Sequence, residues 1–199
     1  MKYLWLIDAG HGSDTAGKRS PEWDDGTQLF EWKFNRLVAQ ELIELLCMAN
    51  YQFEIIVPES TDISLSRRVK RANINAEKHS DKQCIYISIH GNAGGESAHG
   101  IEVFTSKGQT RSDKFATILL NELKGLGWRM RYDTFRDGDE DKEANFYVLK
   151  HTSMPAVLSE NGFYSNYDEC QKMLDPEWQG KIAYAHFEAI KKVEQGKLI

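Results

Sequence analysis

Two histidines and two glutamates in this sequence are of the types, and stand in the places, from which a hydrolytic metal centre is built. Three of them lie where an apolar run gives way to glycine: His11 in Asp8-Ala9-Gly10-His11-Gly12, His90 in Ser88-Ile89-His90-Gly91-Asn92, and Glu160 in Leu158-Ser159-Glu160-Asn161-Gly162. Open α/β sheets bind ligands in the crevice outside the carboxyl ends of their strands, so three strand ends can deliver these side chains to one place. The glycines permit the sharp turn after each strand and a close approach to the backbone. Two imidazoles and a carboxylate around an open fourth position describe a catalytic zinc site, in which the metal acidifies bound water. A third ligand is then needed. Glu31 is the leading candidate, because it opens the first helical pattern where the chain returns from the loop after His11. The residues alone leave open whether Glu160 is a ligand or a catalyst. Each also has a plainer use: a strand-end histidine as a hydrogen-bonded structural group, Glu31 as a favourable first-turn acid, Glu160 as a turn cap. The H-E-x-x-H signature that would place two ligands on one helical face is not present.

The elements that must carry these residues read as alternating strands and helices. Apolar runs near 3–7, 53–57, 84–89, 101–104 and 156–158 predict strands, several of them continuous as in a sheet covered on both faces. Helical periodicity predicts helices through Phe34 to Leu46, Leu65 to Ala72, Phe115 to Leu123 and Ile182 to Val193. The fold class expected is α/β: a mostly parallel twisted sheet with helices on both faces, residues 1–199 forming a single domain with no internal repeat.

Composition narrows the function. A formal net charge of -5 repels nucleic acid, so no nucleic-acid partner is expected. No window reaches the ~20 apolar residues of a membrane span. The apolar run behind Lys2 stops at Asp8, too short for a secretory signal, so cytoplasmic synthesis with no visible export route is expected. The three cysteines, Cys47, Cys84 and Cys170, form no C-x-x-C pair and are expected to be buried thiols. Arg67, Arg68, Lys70 and Arg71 are expected to form a solvated face. Asp137, Asp139 and Asp141 alternate like the start of a calcium loop, but Lys142 and Val148 stand where an EF-hand needs Gly and Glu, so an exposed loop is expected. His79, His99, His151 and His186 are read as structural or solvated, with His99 and His151 the candidates to lie near the site. Trp23, Trp32, Trp128 and Tyr132 are candidate substrate surfaces, although core packing is the commoner use of such residues.

Taken in order, these motifs resemble the zinc-dependent N-acetylmuramoyl-L-alanine amidases of the amidase_3 type, and the likeness covers nearly the whole chain. Leu6 to Gly12 resembles the opening strand and first zinc histidine, with Ala9 where many members have Pro. Leu29-Phe30-Glu31 with Asn35 resembles the helix start that supplies the zinc glutamate. Leu65 to Val69, continuing to Asn73, is similar to the segment before the second-histidine strand, and Ile87 to Ala93 to that strand itself. Gly100 to Phe104 resembles the following strand, and Phe146 to Leu149, Met154 to Leu158 and Glu160 to Asn166 the closing strand. Residues 12–21 resemble compact phage or prophage endolysins. The resemblance implies zinc held by His11, Glu31 and His90, Glu160 as catalytic acid and base, and cleavage of the amide between N-acetylmuramic acid and L-alanine in cell-wall peptidoglycan. The sequence does not give the oligomeric state, and a monomer is the working expectation. A zinc peptidase acting within the stem peptide and a non-catalytic wall-binding module are the alternatives.

Overall fold

Strict alternation along the first strand sets up two cores. In β1 (Tyr3–Ala9) every residue is buried, with Tyr3, Trp5, Ile7 and Ala9 facing one core and Leu4 and Leu6 the other. The computed structural model describes residues 2–135 and 138–196. Its sheet has six strands in the order β2-β1-β3-β6-β4-β5, where β2 is Phe53–Ile55, β3 Gln83–Asn92, β4 Ile101–Thr105, β5 Lys142–Glu143 and β6 Ala156–Phe163. β2, β1, β3 and β6 run parallel, β4 is antiparallel to β6, and β5 runs parallel to β4. The fold is therefore the mostly parallel, doubly covered α/β sheet that the apolar runs predict.

The two faces are unequal. One is covered by α1 (Glu31–Met48), α3 (Asp113–Lys124) and α6 (Pro176–Glu194), whose apolar stripes, such as Phe34, Val38, Leu42 and Leu46 at four-residue spacing, close the larger core. Each such fully buried side chain contributes roughly 1.5–3 kcal/mol. The other face carries only α2 (Leu65–Lys78) and the short α4 (Tyr147–His151), over Leu4, Leu6, Tyr86 and Leu158. α5 (Tyr167–Leu174) packs on β6 and α6. Local chemistry marks the helix starts: Asn166 accepts from Glu169 N ahead of α5, and Asp175 accepts from Glu177 N ahead of α6, whose first residue is Pro176. No described helix is long and apolar enough to cross a membrane.

Two expectations are corrected here. The segment Phe146 to Leu149 is not strand: residues 147–151 form α4, because Val148 and Leu149 bury as one turn against α2, and the strand starts only at Ala156. Cys47 is exposed, on the outer side of the last turn of α1, while Cys84 and Cys170 are buried free thiols.

Candidate active site

The three strand-end residues and Glu31 meet at the carboxyl edge of β1, β3 and β6. His90 and Glu160 are cross-strand neighbours, paired in register between β3 and β6. Glu31, the first residue of α1 and 1% exposed, sets one oxygen between the imidazoles: Oε1 lies 3.2 Å from His11 Nε2 and 3.1 Å from His90 Nδ1. One ligating atom from each of His11, Glu31 and His90 lies within 4.8 Å of the others. Burial pushes the Glu31 carboxyl up, but the hydrogen bonds and charges of the two imidazoles outweigh it and hold the group well below the usual carboxylate range. Glu160 differs in every respect. Its Oε2 is buried with no hydrogen-bond partner, and burial, reinforced by Glu31 and Glu102 against Lys18, drives its carboxyl well above its ordinary value.

The backbone around these groups is shaped to fit. His11 has φ 59, a left-handed conformation that a non-glycine residue adopts at a cost of order 1–3 kcal/mol and keeps only when its surroundings enforce it. Gly10 is required beside it: a Cβ there would lie 2.1 Å from His90 Cε1, inside the imidazole. Tyr164 donates to Glu31 Oε2 at 3.1 Å, and Asn161 Nδ2 donates to His90 O at 3.0 Å, so both Glu31 and His90 are braced by β6 and its continuation.

What enforces His11 is the residue that the basic-cluster reading misplaces. Arg68 is not on a solvated face; it is 2% exposed, on the side of α2 that faces the sheet. Its Nη1 donates to Asp8 Oδ1 at 2.7 Å and Ala9 O at 2.8 Å, its Nη2 to Asp62 Oδ1 at 3.0 Å and His11 O at 3.2 Å, and its Nε to Ile63 O at 2.7 Å. Asp8 Oδ2 accepts from Tyr86 and Ser88. Asp8 ends an apolar strand and Arg68 lies one turn from the apolar Leu65 and Ala72 rows, so both signals were in the sequence as charges at core-facing positions.

His11, His90 and Glu160, with Asp8, Asp62 and Arg68, line a cleft of about 420 Å³ whose wall also includes Thr15, Lys18, Ile63, Leu65, Phe146 and Tyr147. The aromatic surfaces of the cleft are thus Phe146 and Tyr147, which the aromatic reading passed over. Trp23, Trp128 and Tyr132 pack against the larger core instead, and neither they nor Trp32 line the cleft. His99 bonds Ser97 and Arg129, away from the cleft; His151 touches it only by stacking on Tyr147. His186 is buried, takes Ser159 Oγ and Ile182 O at 2.8 Å, and is held down to about 4 by burial, a neutral structural group. A larger cavity of about 600 Å³ at the amino ends of the strands, beside Tyr3, Cys84 and Pro155, has neither carboxylate nor imidazole in its wall.

The acidic stretch is also corrected. Asp137 lies outside the described residues, but Asp141 is 1% exposed rather than on an open loop, and its carboxyl lies with those of Asp139 and Asp113 within 4.8 Å. Thr105 Oγ1 donates to Asp141 Oδ2 at 2.6 Å. Burial, with Asp139 and Asp113 nearby and Thr105 opposing, pushes Asp141 up to about 7. A raised folded-state value means that the neutral group favours the fold: this contribution is whole below the ordinary Asp value of 3.8 and is lost as pH rises towards about 7. Asp141→Asn keeps the uncharged shape, so the urea midpoint of the native chain should fall more than the variant's between about pH 5 and about pH 8. Equal falls would show an Asp141 that is ionised throughout.

Fold and cluster together define a class: an α/β domain that presents two imidazoles, a ligand-type carboxylate and a second, buried carboxylate at its strand ends, the donor set of an open catalytic metal centre. Comparison narrows the class. Residues 6–192 match the family described as N-acetylmuramoyl-L-alanine amidase, amidase_3. The crystal structure of N-acetylmuramoyl-L-alanine amidase from Clostridium difficile 630 superposes with a TM-score of 0.81 at 26% identity, covering 98% of each chain. An uncharacterized cell wall amidase of Bacillus anthracis is 28% identical over 93% of this chain and 34% of its own length. The endolysin of Bacillus phage SPP1 is 26% identical over 96% of this chain and 66% of its own. The chain belongs to the N-acetylmuramoyl-L-alanine amidase family of amidase_3 type, and it spans about a third of the Bacillus anthracis relative and about two thirds of the phage one.

Proposed function

We propose that residues 1–199 act as one catalytic domain that hydrolyses the amide between N-acetylmuramic acid and L-alanine in peptidoglycan, with His11, Glu31 and His90 holding zinc and Glu160 as acid and base. The observation that carries this reading is the division of labour between two carboxyls: Glu31 touches both imidazoles, whereas Glu160, beside His90 in register, has a buried oxygen with no partner. The donor set fits zinc, since two imidazoles and one carboxylate leave a fourth position open. Bound there, zinc would supply Lewis-acid activation of the scissile carbonyl and of water. The chain's own part is proton handling. Glu160 Oε2, buried with no hydrogen-bond partner and beside His90 in register, is the group placed to accept a proton from water and return it to the departing alanine amine. Tyr164 and Asn161 keep the imidazole–carboxylate cluster in place, and the apolar wall of Leu65, Phe146 and Tyr147 sheds water from one side of the cleft.

Family membership supports the activity, and the endolysin relative together with residues 12–21 supports a lysin-like form of it. Mass spectrometry of fragments released from purified peptidoglycan tests the reading. New L-alanine amines paired with lactyl carboxylates, lost on chelation and regained with zinc, are expected. New termini inside the stem peptide would identify a peptidase instead, and release that is indifferent to chelation would remove zinc from the account.

A further inference from the structure

Among the described residues two side-chain cations, Lys18 and Arg68, line the cleft, and Lys18 is the one with hydrogen-bond donors to spare. Arg68 spends its guanidinium on Asp8, Asp62 and three backbone carbonyls. The Lys18 side chain is 42% exposed, and its ammonium lies 3.8 Å from Glu31 Oε2, a loose pair beyond hydrogen-bond length. Its main chain, in contrast, is anchored. Lys18 O accepts from Glu31 N at 3.0 Å, Arg19 bridges Phe30, and Ser20 N donates to Leu29 O at 2.8 Å, so the residue is pinned to the start of the ligand-bearing helix. A fixed backbone with an uncommitted charge at the mouth of a cleft is a preorganised recognition group.

Charge decides what it recognises. The chain is net -5 and the cleft wall holds Asp8, Asp62 and Glu160, so away from the metal that His11, Glu31 and His90 would hold, an anionic group needs a protein cation to offset these carboxylates. Arg68 is shared between Asp8 and Asp62, so its one charge is already committed. In a muramoyl peptide the lactyl carboxyl is tied up in the scissile amide, so the carboxylates that remain lie on the peptide. We propose that Lys18 is a specificity residue whose ammonium pairs with a free carboxylate on the peptide side of the scissile amide, so that stem peptides bearing that carboxylate free are preferred over their amidated forms. This rests on the amidase reading above. A compact ammonium on a flexible stem suits such a contact, since it needs no fixed fork geometry.

The test is steady-state kinetics of the zinc-loaded chain on two synthetic muramoyl peptides that differ only in whether the side-chain or α-carboxylate of the second stem residue is free or amidated, with the released alanine amine as readout. The native chain should show the lower KM on the free form. Lys18→Gln should raise that KM about tenfold with kcat within about twofold, leave the amidated substrate unchanged, and thereby erase the preference, whereas Lys18→Arg should retain it. Zinc content and unfolding midpoint should be those of the native chain. Unchanged KM values, an equal loss on both substrates, or a loss confined to kcat would each overturn the role given to Lys18 while leaving the amidase reading standing. If the native chain cut neither substrate, the amidase reading would fall, and the proposal with it.

Discussion

Glu160→Gln is expected to keep the fold and the zinc yet to lose about 10²- to 10⁴-fold in turnover, the range of general acid and base catalysis. The amide fills the same space in β6 but cannot accept and return a proton, and the oxygen it replaces is buried without a partner, so little structure depends on it. Glu31→Gln should fail in another way. Its oxygen sits within 3.2 Å of both imidazoles, so the loss falls on the metal, and excess zinc should restore part of the activity. Zinc stoichiometry measured beside peptidoglycan hydrolysis separates the two. A Glu160→Gln protein that remains active, or that added zinc revives, would mean that the roles of ligand and catalyst are exchanged.

The largest effect on stability is expected at Arg68. Arg68→Met leaves Asp8, 1% exposed, with only the Tyr86 and Ser88 hydroxyls as donors, and breaking one side of a buried pair costs about 3–5 kcal/mol. The same change frees Ala9 O and His11 O, so His11 loses a restraint on its left-handed backbone. Arg68→Lys should recover little, because one ammonium cannot reach five acceptors spread over two segments. Asp8→Leu combined with Arg68→Met should regain part of the loss by removing the stranded charge. Urea unfolding of the three variants reads these differences, and a loss below about 1 kcal/mol for Arg68→Met would place Asp8 in contact with water after all.

The elements with long apolar signals were legible: β1, β3 and β6 as continuous runs, and α1, α3 and α6 from their four-residue stripes. Of the shorter elements, β2 and β4 were legible as the runs near 53–57 and 101–104, whereas β5 and α4 were not. β5 has two residues, and its sequence, Lys142-Glu143, says nothing of a strand; it forms because Ala144 N reaches Thr105 O and the ladder with β4 is available. The apolar Val148 and Leu149 fit a strand as well as a helix, and packing on α2 decides between them. At the site, glycine after a strand pointed to His11, His90 and Glu160, but spacing along a chain cannot say which carboxyl lies between two rings. That distinction is made in three dimensions, by α1 delivering Glu31 across the sheet edge. Arg68 was misread for a related reason: a helix wheel ranks an arginine as outward-facing, whereas here Asp8, buried near the carboxyl end of β1, makes the inward position favourable.

The sheet ends at both margins in very short strands, three residues in β2 and two in β5. An exposed strand edge is a template on which another chain can add by backbone pairing, and long flat edges are where soluble proteins begin to aggregate. Here the four longest strands are interior, and each border offers too few unpaired amides to hold a stranger in register, the outer one carrying Lys142 and Glu143 besides. Resistance to fibril-like growth is thus built in by truncation of the borders, and an insertion that lengthened β2 or β5 would open a route to self-association without touching the cleft.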